Sequence, residues 1–184
     1  MKGRKWNVLT LVFVGALAAM VYVVTMFRFP LLGSKVHFAN AVCLLAGLLL
    51  GPVPGGLAAG LGSALYDLTM YNEGVVNLLI TFVSKFAMAW VCGKLAGEPN
   101  EKQPLPRILT ACVCGALTYV ALYMLKTGVY GLIAGNIWAP IVSKVPASII
   151  NAAAAVVAAP IFYHALLPAL KAGGVMKKLH ESKE

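Results

Sequence analysis

The sequence predicts an all-α integral membrane protein: a bundle of six transmembrane helices whose second and third spans are short. Three observations carry this expectation. Of 184 residues, 60% are apolar and only 11% are charged, whereas ordinary soluble domains carry about 25% charged residues. The apolar residues fall into six runs punctuated by glycine, proline or charge. The 15 lysines and arginines, set against 6 acids, gather near the ends of those runs and at both termini. Such a distribution fits membrane topology and argues against nucleic-acid binding, which wants a basic face on a soluble fold. The length fits one membrane domain, residues 1–184.

The first run, about residues 8–27, follows Lys2, Arg4 and Lys5. It is too long for the apolar core of a signal peptide and lacks a small-residue cleavage site, so it reads as a retained span. The second run, 38–51, ends at Gly51-Pro52-Val53-Pro54-Gly55-Gly56, where two prolines and three glycines point to a tight turn. The third run covers 55–70. Both are short against the ~20 residues that a bilayer demands, and either two thin spans or one re-entrant hairpin fits them. The remaining runs cover 75–96, 108–130 and 145–170.

Charge sets the orientation. With six spans, one side collects Lys2, Arg4, Lys5, Lys94, Lys102, Arg107, Lys171, Lys177, Lys178 and Lys183. The other collects Arg28, Lys35, Lys126 and Lys144, with Lys85 inside the fourth span. The excess places both termini in the cytoplasm. The segment 97–107 then reads as a soluble cytoplasmic loop, and 131–144, with Trp138 and Pro140, as an apolar outer loop suited to a lid or an interfacial anchor.

Polar groups inside apolar spans are costly and call for a reason. The fourth span carries Asn77, Thr81 and Lys85 at intervals of four. The fifth carries Tyr119, Tyr123, Lys126 and Tyr130, and the sixth Lys144, Ser148 and Asn151. Intervals of three and four put each set on one helix face. Asp67 and Tyr71 form a further pair in the third span, and His37 and Asn40 open the second. Together they suggest a polar cavity opening outward. Interfacial tyrosines and snorkelling lysines are the alternative for Tyr130, Lys126 and Lys144, and interhelical bridging for Asn77 and Asn151. Lys85 lies ~18 Å along the helix from Glu73, too deep to snorkel. It either faces the cavity or pairs with Asp67.

Cys43, Cys92, Cys112 and Cys114 lie in apolar runs without metal-ligand spacing and read as small buried residues. No paired acids, Ser/His or Cys/His set suggests an enzyme. Gly15 and Ala19 form a small-xxx-small pair, as do Gly47 with Gly51 and Gly56 with Gly60; the last two pairs read as internal helix packing.

The stretch from Asn40 to Asp67, with its pattern GP-x-x-GG-x-x-x-G-x-G-S-A-x-x-D, resembles the second and third spans of the substrate-binding S components of energy-coupling factor (ECF) vitamin transporters. It looks most like the riboflavin, pyridoxine and hydroxymethylpyrimidine branch. Length, a lysine in the fourth span and the segment before the sixth span extend the likeness over the chain. The resemblance implies a bacterial cytoplasmic-membrane protein that binds a vitamin or precursor from outside. It further implies docking on a transmembrane coupling subunit with two cytoplasmic ATPases, and toppling to release the ligand inward. ATP is then used by the partners, with no cofactor in this chain. The family's docking motif on the first span matches Gly15 and Ala19. The expected ligand contacts are Arg28, His37, Asn40, Asp67, Asn77, Lys85, Tyr123, Trp138, Lys144 and Asn151. A self-sufficient secondary transporter or channel, with Asp67 as its coupling acid, is the alternative.

Overall fold

The computed structural model describes residues 7–27, 29–31, 34–70, 74–98 and 103–180. Seven helices and one small hairpin follow in order: α1 (Val8–Met26), β1 (Phe29–Leu31), β2 (Ser34–Val36), α2 (Ala39–Leu50), α3 (Pro52–Met70), α4 (Val75–Ala96), α5 (Leu105–Ile133), α6 (Trp138–Ala172) and α7 (Val175–His180). The hairpin qualifies the all-α expectation. The segment between the first two apolar runs pairs antiparallel, Phe29 opposite Val36 and Leu31 opposite Ser34, and β2 packs on α6.

Two further expectations are corrected. The turn foreseen across residues 51–56 shrinks to Gly51, whose φ of 82° only glycine adopts easily. Pro52 and Pro54 fall in the first turn of α3, where no intrahelical N–H bond is lost. The long outer loop 131–144 is also absent. α5 continues to Ile133 and α6 begins at Trp138. Asn136 makes this possible, because its Oδ1 accepts from Trp138 N and Ala139 N, both at 3.1 Å. The prolines of α6 did not stop it: Pro140 sits in its first turn, and Pro146, Pro160 and Pro168 are accommodated inside it.

Contacts fix the direction of each helix. Gly62 of α3 abuts Ala18 and Val21 of α1, and Tyr66 packs on Tyr22, so these two run parallel. Gly56 and Gly60 receive Phe86 and Phe82 of α4, an antiparallel pair. Lys85 meets Asn40 and Gly93 meets Gly47, so α2 and α4 are parallel. Along α4 and α5, Asn77 meets Tyr130 and Leu95 meets Arg107, again antiparallel. One end of the bundle therefore carries the β-hairpin and the starts of α2, α4 and α6. The other carries Asn7, the α2–α3 turn, the end of α4, the start of α5 and α7.

α2 is the centre. All twelve of its residues are buried, and it packs against α1, α3, α4, α5 and α6. A helix wrapped by protein does not need the length that a lipid-facing span requires, which explains the shortness of the second run. The periphery is the reverse. Leu11, Val12, Leu79, Leu117, Leu125, Val157 and Ile161 are exposed on the outer helices, an apolar rim that suits lipid rather than water. Four helices, α1, α4, α5 and α6, are long and apolar enough to cross a membrane. At the terminal end, α7 buries Met176 and Leu179. Asn7 ties α7 to α1: its Oδ1 accepts from Thr10 N at 2.7 Å and its Nδ2 donates to Lys178 O at 2.5 Å.

Candidate ligand site at the start of the central helix

The first turn of α2 is where the polar stripes converge. Asn40 is buried there, and its Oδ1 accepts from Lys85 Nζ of α4. The ammonium also lies 3.8 Å from the centroid of the Tyr119 ring on α5. Lys85 is 4% exposed, so both contacts act in a low-dielectric setting, where an amide oxygen and a ring face each favour the cation. Three residues before Asn40, His37 N donates to Asn151 Oδ1 on α6 at 2.9 Å. The opening of α2 thus draws α4, α5 and α6 together through polar side chains.

Of the two alternatives for Lys85, the pair with Asp67 is not formed. Lys85 takes Asn40 and Tyr119, while Asp67 stands half-buried on α3. Asp67 is a candidate on sequence grounds because it is the sole acid within a span. The structure shows that an amide and an aromatic ring reach the ammonium instead.

The other expected contacts divide. Tyr123 is half-buried and stacks on Tyr119, with centroids 5.9 Å apart and 17° between the planes. Asn77, half-buried, accepts from Oη of the exposed Tyr130 at 3.0 Å, two turns nearer the hairpin end. Lys144 is half-buried, one turn before Ser148, whose hydroxyl donates to the Lys144 carbonyl at 2.8 Å. Trp138, at 70% exposure, is not drawn into the cluster. Arg28 lies outside the described residues. Gly15 and Ala19 are exposed on α1, and a Cβ at Gly15 would meet nothing within 4 Å.

Tyr119 and Ser63 are the residues that sequence reasoning left out. Tyr119 belonged to the α5 stripe, and its spacing to Tyr123 was the available signal. Ser63 had none, since a serine among glycines and alanines reads as packing. It is 4% exposed on α3, and its Oγ makes no hydrogen bond among the described residues. Cys43, one turn along α2 from Asn40, lies beside Ser63 and within electrostatic reach of Lys85.

What this arrangement can do is hold a small polar molecule. It offers a cation, amide and hydroxyl groups, and a stacked aromatic pair, all on rigid helices. Residues 5–167 match the family described as "ECF-type riboflavin transporter, S component". A solved structure described as "Structure and mechanism of the S component of a bacterial ECF transporter" aligns with a TM-score of 0.67 and 20% identity. The alignment covers 88% of this chain and 97% of that one, a likeness of fold. Comparison with curated proteins yields no match.

Proposed function

The chain belongs to the ECF-type riboflavin transporter S-component family, and from that premise we propose that it captures a vitamin or vitamin precursor, of pyridoxine or hydroxymethylpyrimidine type, from outside the cell. The family is one of transporter subunits, not of enzymes. One observation carries the capture reading: the buried cluster of Asn40, Lys85 and Tyr119, set where α2, α4 and α5 meet. A buried ammonium on a rigid helix is expensive unless something uses it, and ligand recognition is that use.

In this reading α1 to α6 are all membrane-embedded, with the short α2 shielded from lipid by its neighbours. The basic residues at the terminal end face the cytoplasm, so the cluster lies in the outer half. The exposed strip around Gly15 and Ala19 on α1 docks on a transmembrane coupling subunit. Two cytoplasmic ATPases drive that subunit, and the bundle topples to open the site inward. Energy comes from ATP on the partners.

Co-purification tests the proposal. The tagged chain, extracted mildly from its host membrane, is expected to bring down a membrane subunit and two ATPases, and Gly15→Leu is expected to abolish this while sparing ligand binding. Uptake that persists without ATP, with no partner recovered, would point to a self-sufficient transporter instead.

A further inference from the structure

We infer that the ligand carries an ionised acid group and that Lys85 and Ser63 receive it. The inference rests on the capture reading above and replaces its neutral pyridoxine or hydroxymethylpyrimidine type with a flat ring that bears an acid.

Consider first the charge balance around Lys85. Its ammonium is 4% exposed, and its partners are an amide oxygen and a ring face. Both soften the burial of a cation, and neither neutralises it. Of the acids among the described residues, Asp67 and Glu98, neither forms an ion pair with it. A buried cation without a counter-charge is unfavourable until an anion arrives. The start of α2 adds to this, because its first N–H groups carry partial positive charge. A neutral ligand leaves the imbalance in place, whereas a carboxylate or phosphate removes it through a charge-assisted hydrogen bond.

The second observation is independent of charge. Five buried serines and threonines are described: Thr10, Ser63, Ser84, Thr127 and Ser148. Four of them are satisfied within the chain. Thr10 bonds to Asn7, and Ser84, Thr127 and Ser148 donate to the carbonyl one turn back. Ser63 has the same option on α3 and does not take it. A buried hydroxyl is normally satisfied; its neighbour here is the Cys43 thiol, a weak hydrogen-bonding partner that a stronger acceptor can displace. Cys43, which lies beside Ser63 and within electrostatic reach of Lys85, relates the two groups across α2. The stacked Tyr119–Tyr123 pair next to the ammonium suits a flat ring bearing the acid.

The test uses matched pairs that share a ring and differ in charge: nicotinate with nicotinamide, 4-pyridoxate with pyridoxine, and flavin mononucleotide with riboflavin. Affinities are measured by calorimetry on the full chain in nanodiscs. The first two pairs read a carboxylate and the third a phosphate. In the wild type, the acid member of at least one pair is expected to bind roughly tenfold or more tightly than its neutral partner. Lys85→Met is expected to erase that preference and Lys85→Arg to keep it. Ser63→Ala is expected to weaken the acid member by roughly threefold to tenfold and leave the neutral one unchanged. Should Lys85→Met not fold, the wild-type preference and the Ser63→Ala difference decide. Neutral members that bind as well as acid ones, or a preference that survives Lys85→Met, overturn the inference. If no compound binds while the coupling module still co-purifies, the acid ligand falls and the capture reading stands. If neither occurs, both fall.

Discussion

The two halves of the bundle solve opposite problems with the same helices. Toward the terminal end, α2, α4 and α5 meet through glycine. A Cβ on Gly93 would lie 2.7 Å from the Gly47 carbonyl oxygen and 2.8 Å from Pro52 N, and one on Gly115 would lie 2.7 Å from the Met88 oxygen. Toward the hairpin end, those helices meet through Asn40, Lys85 and Tyr119. In lipid, apolar side chains gain little by leaving one apolar medium for another, so helices associate through close van der Waals contact and interhelical hydrogen bonds. The glycine half uses the first and holds the bundle together. The polar half uses the second and keeps chemistry available at some cost in stability. On this division, substitutions in one half move stability and substitutions in the other move binding.

Gly93→Leu makes the sharpest attempt to break it. The new side chain has only backbone to meet, so α2 and α4 must separate, at the upper end of the ~1–3 kcal/mol usual for overpacking or beyond it. The expected result is loss of monodisperse protein by size-exclusion chromatography, with Gly93→Ala giving a lowered melting temperature. A Gly93→Ala protein that melts like the wild type would mean that the close approach holds nothing.

Lys85→Met probes the other half, and its expected sign is opposite. The change relieves the desolvation of a buried ammonium, worth several kcal/mol per ion. It leaves the Asn40 oxygen without its donor, a loss of about 1–3 kcal/mol. The melting temperature is therefore expected to hold or rise by up to a few degrees, while ligand affinity falls. A marked drop in thermal stability would reassign Lys85 to the scaffold and dissolve the contrast.

The same contrast explains what the sequence made legible. Glycine packing could be read because small residues at intervals of four have few other uses inside a span, and Gly47, Gly56 and Gly60 do sit against α4. The stripes on α4, α5 and α6 could be read because helical spacing fixes a common face. Partnership could not be read. Lys85 chose Asn40 and Tyr119 over Asp67, which depends on how α2 enters the bundle rather than on any spacing along one helix. Nor could the extent of α6, because the capping by Asn136 outweighed a cluster of glycine and proline signals. The bare Ser63 hydroxyl is a property of the assembled core alone.

Asn151→Ala is expected to have a smaller effect, on the seam between the two halves. Asn151 is 8% exposed and accepts from His37 N, so it fixes how the hairpin segment enters α2. Its loss is expected to cost about 1 kcal/mol of stability. It is also expected to raise protection-free hydrogen exchange across residues 34–38, measured by mass spectrometry, with affinity changed only a few-fold. Unchanged exchange would show that the hairpin segment is held by its packing on α6 alone.

The smallest effect marks the outer limit of the polar half. The Tyr130 hydroxyl donates to Asn77 at 3.0 Å, exposed and eight residues along α4 from Lys85, which is ~12 Å of helix. An exposed hydrogen bond competes with water or headgroups, so Tyr130→Phe is expected to change stability by no more than ~0.5 kcal/mol. Affinity is expected to change by less than about twofold, well under the ~1 kcal/mol typical of a buried bond. The ring survives the substitution, so any larger change belongs to the hydroxyl. A tenfold loss of affinity would extend the ligand from Lys85 out to the ends of α4 and α5, and would require a molecule long enough to span both clusters. A null result confines recognition to the turn of α2, where the burial of Asn40 and Lys85 makes each polar contact count for most.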